Sequence, residues 1–188
     1  MQYLKNNYVE FKNISIMQNT DLLAILEEKD RAKYEDFLKT MEVGKITSEE
    51  ELQFFKAATD DWIFQYICVS YPQPASERVL MISGSVETLK KSHDLWGFWE
   101  ENVNWAFLSG THEVCKKLIN CMTAKPSYDA EILMLKRNSR ELFTMWIEKY
   151  KILGEDAEKL LHEDIRLAQL KSIYVDFQIN RSFELEPV

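Results

Sequence analysis

Apolar residues recur along this chain at helical spacing, and the runs they form are separated by proline, glycine or capping residues. Leu22, Leu23, Leu26, Tyr34, Phe37, Leu38 and Met41 make one such face, with acids and lysines opposite. Residues three and four apart share a helix face, so this spacing predicts a helix from Asn19 or Thr20 to about Met41. The side-chain oxygens of Asn19 and Thr20 can accept the orphan amides of its first turn, and Gly44 ends the run. Thr47-Ser48-Glu49-Glu50 has the spacing of a capping box, Thr47 with Glu50, at the start of the next helix. Residues 1–18 alternate weakly through Tyr3, Tyr8, Phe11, Ile14 and Ile16, and read as coil or a short strand. The clearest interruption is Tyr71-Pro72-Gln73-Pro74. Ala124-Lys125-Pro126-Ser127 and Leu153-Gly154-Glu155-Asp156 are two more.

Between these breaks one pattern is written several times. VLMISGSVETLKKSHDL (Val79–Leu95) and WAFLSGTHEVCKKLIN (Trp105–Asn120) share Ser-Gly, then Glu three residues after the glycine, then Lys-Lys. Gly84 and Gly110 stand 26 residues apart. ILMLKRNSRELFTMWIEK (Ile132–Lys149) fits the same frame with Asn138 at the glycine position and Glu141 matching Glu113, at a step of 28. Asparagine is the residue next most tolerant of a left-handed turn after glycine. Glu51–Val69 and Ala157–Val175 read as weaker copies on either side. Each unit is a short helix, a tight turn and a second helix, with Val114, Cys115, Leu118, Ile119 and then Met122 as the packing positions of the clearest copy. One such hairpin cannot bury its own apolar faces; stacking on neighbours does so. The expected architecture is all-α: an N-terminal segment and capping helix (1–46), helical hairpins stacked over 47–180, and a tail (181–188).

The stretch NWAFLSGTHEVCKKLINC resembles the helical part of an ankyrin repeat, where a short "LHxAAxxG" helix precedes an "xxEVVKxLL" helix. In that frame Trp105 stands where the family often has histidine, Ala106 matches the first core alanine and Gly110 the turn glycine. Val114, Cys115, Leu118 and Ile119 match the packing positions. VLMISGSVETLKKSHDL is similar, with Ser92 and His93 at two packing positions. The steps of 26 and 28 fall short of the family's roughly 33 residues, no Asp-Gly or Asn-Gly turn marks a β-hairpin finger, and the Thr-Pro opening is absent. The resemblance spans residues 48 to 175. It implies an ankyrin-like α-solenoid with shortened repeats that binds or sequesters a partner protein, of the kind found among secreted bacterial effectors and viral host-range proteins, acting in cytoplasm or host cytoplasm.

Composition narrows the partners. The chain of 188 residues is 46% hydrophobic and 29% charged, with a net charge of −8 and a pI near 5.0. That field repels phosphate backbones and anionic lipid, so nucleic acid and membrane are disfavoured and a protein with a basic surface is favoured. No apolar run approaches the roughly 18–20 residues that span a bilayer, and MQYLKNNYVEFKNIS lacks the apolar core of a Sec signal peptide. Cys68, Cys115 and Cys121 are odd in number and lie in apolar surroundings, which predicts reduced, buried thiols in a cytosolic protein.

No glycine-rich phosphate loop, HExxH, GxSxG, CxxC or EF-hand pattern is present, and no catalytic residue, cofactor or metal is expected. His112, Cys115 and Cys121 suggest a thiol–imidazole site, but Cys121 falls about 240° round the helix from Cys115, so the three do not converge. His93 and His162 are isolated. Asp60-Asp61 reads as a solvated turn, Glu100-Glu101 as a polar helix end, and Glu163-Asp164 likewise. The most distinctive segment is LWGFWEENVNW, Leu95–Trp105. As a connecting loop it would present Trp96, Phe98 and Trp99 beside Glu100 and Glu101 as a protein-binding site. The opposing reading has Trp96 and Trp99, one turn apart, extending the preceding helix into the core, and helical aromatic spacing favours it. A small helical inhibitor or immunity protein, or a helical enzyme with its site assembled from distant residues, is the alternative from another functional class.

Overall fold

In the computed structural model, residues 21–41 and 46–184 are described, with side chains from 22 to 41 and 46 to 181. Every element among them is a helix. The helices come in consecutive pairs: α1 (Asp21–Glu28) and α2 (Arg31–Thr40), α3 (Ser48–Ala57) and α4 (Asp60–Ile67), α5 (Pro74–Ser83) and α6 (Val86–Trp96). Then follow α7 (Glu100–Ser109) and α8 (His112–Cys121), α9 (Tyr128–Lys136) and α10 (Arg140–Tyr150), and α11 (Glu155–Glu163) and α12 (Ala168–Glu184), the last pair joined by a 3-10 turn over Ile165–Leu167. The first helices of successive pairs pack in the order α1, α3, α5, α7, α9, α11, and the second helices in the order α4, α6, α8, α10, α12.

Burial follows a fixed register. The first helices bury Glu51/Phe54/Phe55, Glu77/Leu80/Met81, Val103/Ala106/Phe107 and Glu131/Met134/Leu135 at corresponding positions. The second helices bury Trp62/Ile63/Tyr66/Ile67, Val114/Cys115/Leu118/Ile119 and Leu142/Phe143/Trp146/Ile147. Full burial of such a side chain contributes about 1.5–3 kcal/mol, whereas fixing a residue's backbone costs about 1–2 kcal/mol. One hairpin of some twenty residues therefore cannot order itself. Its second apolar face must be covered by the next hairpin.

The tips within the hairpins explain the glycines, though not through left-handed geometry. Gly84 and Gly110 have φ of −67° and −65°, open to any residue. What excludes a side chain is proximity: a Cβ on either would stand 2.6 Å from the carbonyl oxygen of the residue four before it, Leu80 or Ala106. The left-handed turn falls instead at Asn138, whose φ is 50°. Serine or threonine then caps the second helix: the side chains of Ser85, Thr111 and Ser139 accept the amides of Thr88, Val114 and Leu142. Cations of later units close the carboxyl ends of earlier helices, where the macrodipole favours them. Lys117 donates to the carbonyls of Ile82 and Gly84, and the Arg137 guanidinium to those of Ala106, Phe107 and Gly110.

Several expectations are revised. The single helix from Asn19 or Thr20 to Met41 is two helices, because Lys29 turns left-handed at φ 55° and Asp30 caps a new start by accepting the amide of Lys33. The capping box of Thr47 and Glu50 is present with both reciprocal bonds. Helix α12 continues through Glu184, across the boundary drawn at 181. Cys68 is exposed, since it follows the last turn of α4, while Cys115 and Cys121 are buried. Asp60 is no solvated turn: its carboxylate accepts from the amide and hydroxyl of Ser85 and the hydroxyl of Thr88, joining α4 to α6. Residues 1–18 and Gly44 lie outside the described residues.

Candidate functional site

At the end of the molecule opposite the hairpin tips, connectors join each second helix to the next first helix. Buried glutamates organise this edge. The Glu51 carboxylate accepts the amide of Gln73 at 2.7 Å and the hydroxyl of Tyr66 at 2.8 Å. Glu131 accepts the amide of Gly154 at 2.8 Å and the indole N–H of Trp146 at 3.1 Å, and pairs with Lys125 at 2.7 Å. Glu77 accepts the amide of Trp99 at 3.1 Å and the Asn102 amide group at 2.8 Å. Gln73, Trp99 and Gly154 are the N-cap residues of α5, α7 and α11. One carboxylate of each helix thus holds the entry to the next first helix. The donor fifteen residues on is Tyr66 for Glu51 and Trp146 for Glu131. For Glu77 that position is Ser92, buried with its hydroxyl unpartnered, and Asn102 serves instead. Burial pushes the Glu77 carboxyl up to about 7, against the pull of Asn102 and the Trp99 amide.

The sequence-predicted aromatic segment sits on this edge. Helix α6 ends at Trp96, where Gly97 turns with φ 78°, so Trp96 and Trp99 do not lie on one continuing helix. Trp99 instead is the N-cap residue of α7, with no side-chain bond to its amides, and Phe98 lies between. Tyr71, from the preceding connector, stacks on Trp99 with ring centroids 5.0 Å apart and planes 10° apart, and on Trp96 at 6.2 Å and 27°. Both indoles are anchored: Trp96 donates to the carbonyl of Ile67 at 2.7 Å, and Trp99 to that of Pro72 at 3.0 Å. Trp96 keeps 42% of its surface exposed, and its sequence neighbour Leu95 is exposed as well. Glu100 and Glu101 are exposed in the first turn of α7, and Asp94 is exposed near the end of α6.

Phe98 and Glu100 also line a neighbouring cleft of about 290 Å³ with His93, Val103, Met122, Lys125 and Ser127. His93 rests against Phe98, ring centroids 4.8 Å apart. Its Nδ1 is buried without a hydrogen bond, with the nearest Asp94 oxygen at 3.8 Å. Burial lowers its basicity, against the pull of Asp94. Ser127 is the N-cap residue of α9, yet its hydroxyl accepts no helix amide and is likewise buried and unpartnered. Sequence reasoning missed His93, Ser127 and the three glutamates as connected groups. The repeated Glu51 and Glu77, 26 apart, were the available signal.

The remaining candidates do not assemble. His112 pairs with Glu141 at 2.8 Å on the surface, while the Cys115 thiol points to the carbonyl of Ala106 and Cys121 to that of Val86. Burial raises both thiols above their usual range. Among the described residues no group of three or more His, Cys, Asp or Glu could hold a metal ion, and no helix is long and apolar enough to cross a membrane. A second groove of about 380 Å³ runs beside the hairpin tips between Phe107, Leu108, Leu133, Lys136 and Arg137, but the Arg137 guanidinium is consumed by the end of α7. No family model, curated protein or solved structure matches this chain.

Proposed function

We propose that this chain is an ankyrin-like, shortened α-solenoid that binds a partner protein through the edge carrying Tyr71, Trp96 and Trp99. The observation that carries the reading is the anchored aromatic stack. Large rings held by two indole hydrogen bonds lose little freedom on binding, which suits an interaction hot spot. The partly exposed Trp96, with Leu95 next to it, supplies apolar area. Asp94, Glu100 and Glu101, together with the net charge of −8, favour a partner with a basic surface. The steps of 26 and 28 and the regular pairing of first with first and second with second helices support the solenoid reading.

The test is partner binding by variants that leave the helices intact. Trp96→Ala is expected to weaken affinity about thirtyfold or more, as loss of a central aromatic anchor does. Replacing Asp94, Glu100 and Glu101 together by their amides is expected to slow association and flatten its salt dependence. Unchanged affinity in both variants contradicts the reading.

A further inference from the structure

Helices α6, α8 and α10 keep one register, in steps of 26 and then 28 residues. Trp96, Met122 and Tyr150 share one position of it, and Leu95, Cys121 and Lys149 the position before. Trp96 and Tyr150 play the same part at the connector edge. Each donates to a carbonyl at the end of the preceding second helix, the Trp96 indole to Ile67 at 2.7 Å and the Tyr150 hydroxyl to Met122 at 3.3 Å. Beside Tyr150 the chain supplies a cation: the Lys149 ammonium lies 5.8 Å from the centre of that ring and donates to the Asn120 carbonyl at 2.9 Å. In α6 the matching residue is Leu95, uncharged and exposed. Each of the other four tryptophans is engaged within the chain. Arg31 lies 4.5 Å from the centre of the Trp62 ring and Arg78 5.5 Å from that of Trp105. Trp146 is fully buried, and Trp99 stacks on Tyr71. Trp96 has Tyr71 against it, yet it is the most exposed of the five, and among the described residues no cation stands over it. Indole is the aromatic face that attracts a cation most strongly.

We propose, resting on the docking reading above, that Trp96 is the receptor for an arginine side chain of the partner protein. The guanidinium lies on the exposed part of the indole and supplies the cation that Lys149 supplies to Tyr150. Both cations that the chain itself places over a tryptophan are arginines. Their flat, weakly hydrated group stacks on an aromatic face where an ammonium acts only as a point charge. The indole N–H is spent on Ile67, so the ring keeps no donor for a partner's carboxylate. The net charge of −8 draws a cation to it.

The test titrates the full chain, at low salt, into fluorescein-labelled nona-arginine and nona-lysine, two peptides of equal charge. The wild type is expected to bind nona-arginine about two- to fivefold more tightly, the range for an exposed cation–π contact. Trp96→Ala is expected to bind both peptides alike. Leu95→Lys changes an exposed residue, leaves the Trp96 bond to Ile67 in place and supplies the ring with a cation of its own, as Lys149 does in α10. It too is expected to abolish the preference, and keeps the test decisive should Trp96→Ala fail to fold. Equal affinity of the wild type for the two peptides, or a preference that survives either substitution, overturns the proposal. The peptides need no partner, so the two readings fail separately. Without a preference, but with partner binding weakened by Trp96→Ala, the arginine falls and the docking edge stands. With the preference, but with partner binding untouched by Trp96→Ala, the docking edge falls and takes the partner's arginine with it.

Discussion

A buried carboxylate is costly unless its lone pairs are used, and at Glu51 and Glu131 they are. Glu77 differs: the hydroxyl at its counterpart donor position, Ser92, has no partner, and burial outweighs the bonds it accepts from Trp99 and Asn102. Its folded value of about 7 stands above the ordinary 4.5. Between those values the folded chain keeps a proton that the unfolded chain has released. The stability this group contributes is therefore fully present below pH 4.5 and is lost as pH rises through about 7. The shift is worth roughly 3 kcal/mol at most. Denaturant midpoints from pH 4.5 to 8 should show this decline in the wild type, and Glu77→Gln should flatten it. An unaltered slope in that variant means Glu77 is not the group responsible. These residues were poorly legible in the sequence, because each glutamate's partners lie fifteen to twenty-five residues on, beyond its own helix. Ser127 and His93 were harder still, since nothing local in the sequence marks an atom left without a partner.

At the scale of the element, the hairpins were legible because each carries local signals that the structure uses. Thr47 and Glu50 cap α3, Ser85, Thr111 and Ser139 cap second helices, and Asn138 turns left-handed. The division of α1 from α2 was not legible, because Leu26 and Tyr34 stay in helical phase across the charged run of residues 27–31, which hides the turn at Lys29 and Asp30. The two kinds of glycine give a direct check. Gly110→Ala places its Cβ 2.6 Å from the carbonyl oxygen of Ala106 and 3.0 Å from its Cα, so backbone must shift. A loss of about 1–3 kcal/mol is expected, as for other overpacked sites. Gly97→Ala meets no atom within 4 Å but must hold a φ of 78° with ψ −172°, a region that side chains all but avoid, which costs about 1–3 kcal/mol. The distinction is readable by Gly→D-Ala: at 97, where φ 78° and ψ −172° mirror an extended L residue, D-alanine recovers most of the loss, and at 110 it recovers none. Equal behaviour of the two sites in thermal melts would contradict the separate causes.

For the whole molecule, the repeat period carried the all-helical architecture, because a hairpin that cannot bury itself has to repeat. Function was less legible. The aromatic segment was visible, but helical spacing pointed Trp96 and Trp99 inward as one helix. Only Gly97 and the Tyr71 ring, from a connector twenty-five residues before Trp96, turn them into an anchored edge. The central claim is that this edge is where a partner docks. It is tested most directly by placing a photo-crosslinking residue at position 96 and, separately, at Lys56 beside a hairpin tip, in extract of the source organism. The account predicts one protein crosslinked from position 96 and not from 56, and lost when Asp94, Glu100 and Glu101 are amidated together. The same products from both positions, or none from position 96, would contradict it.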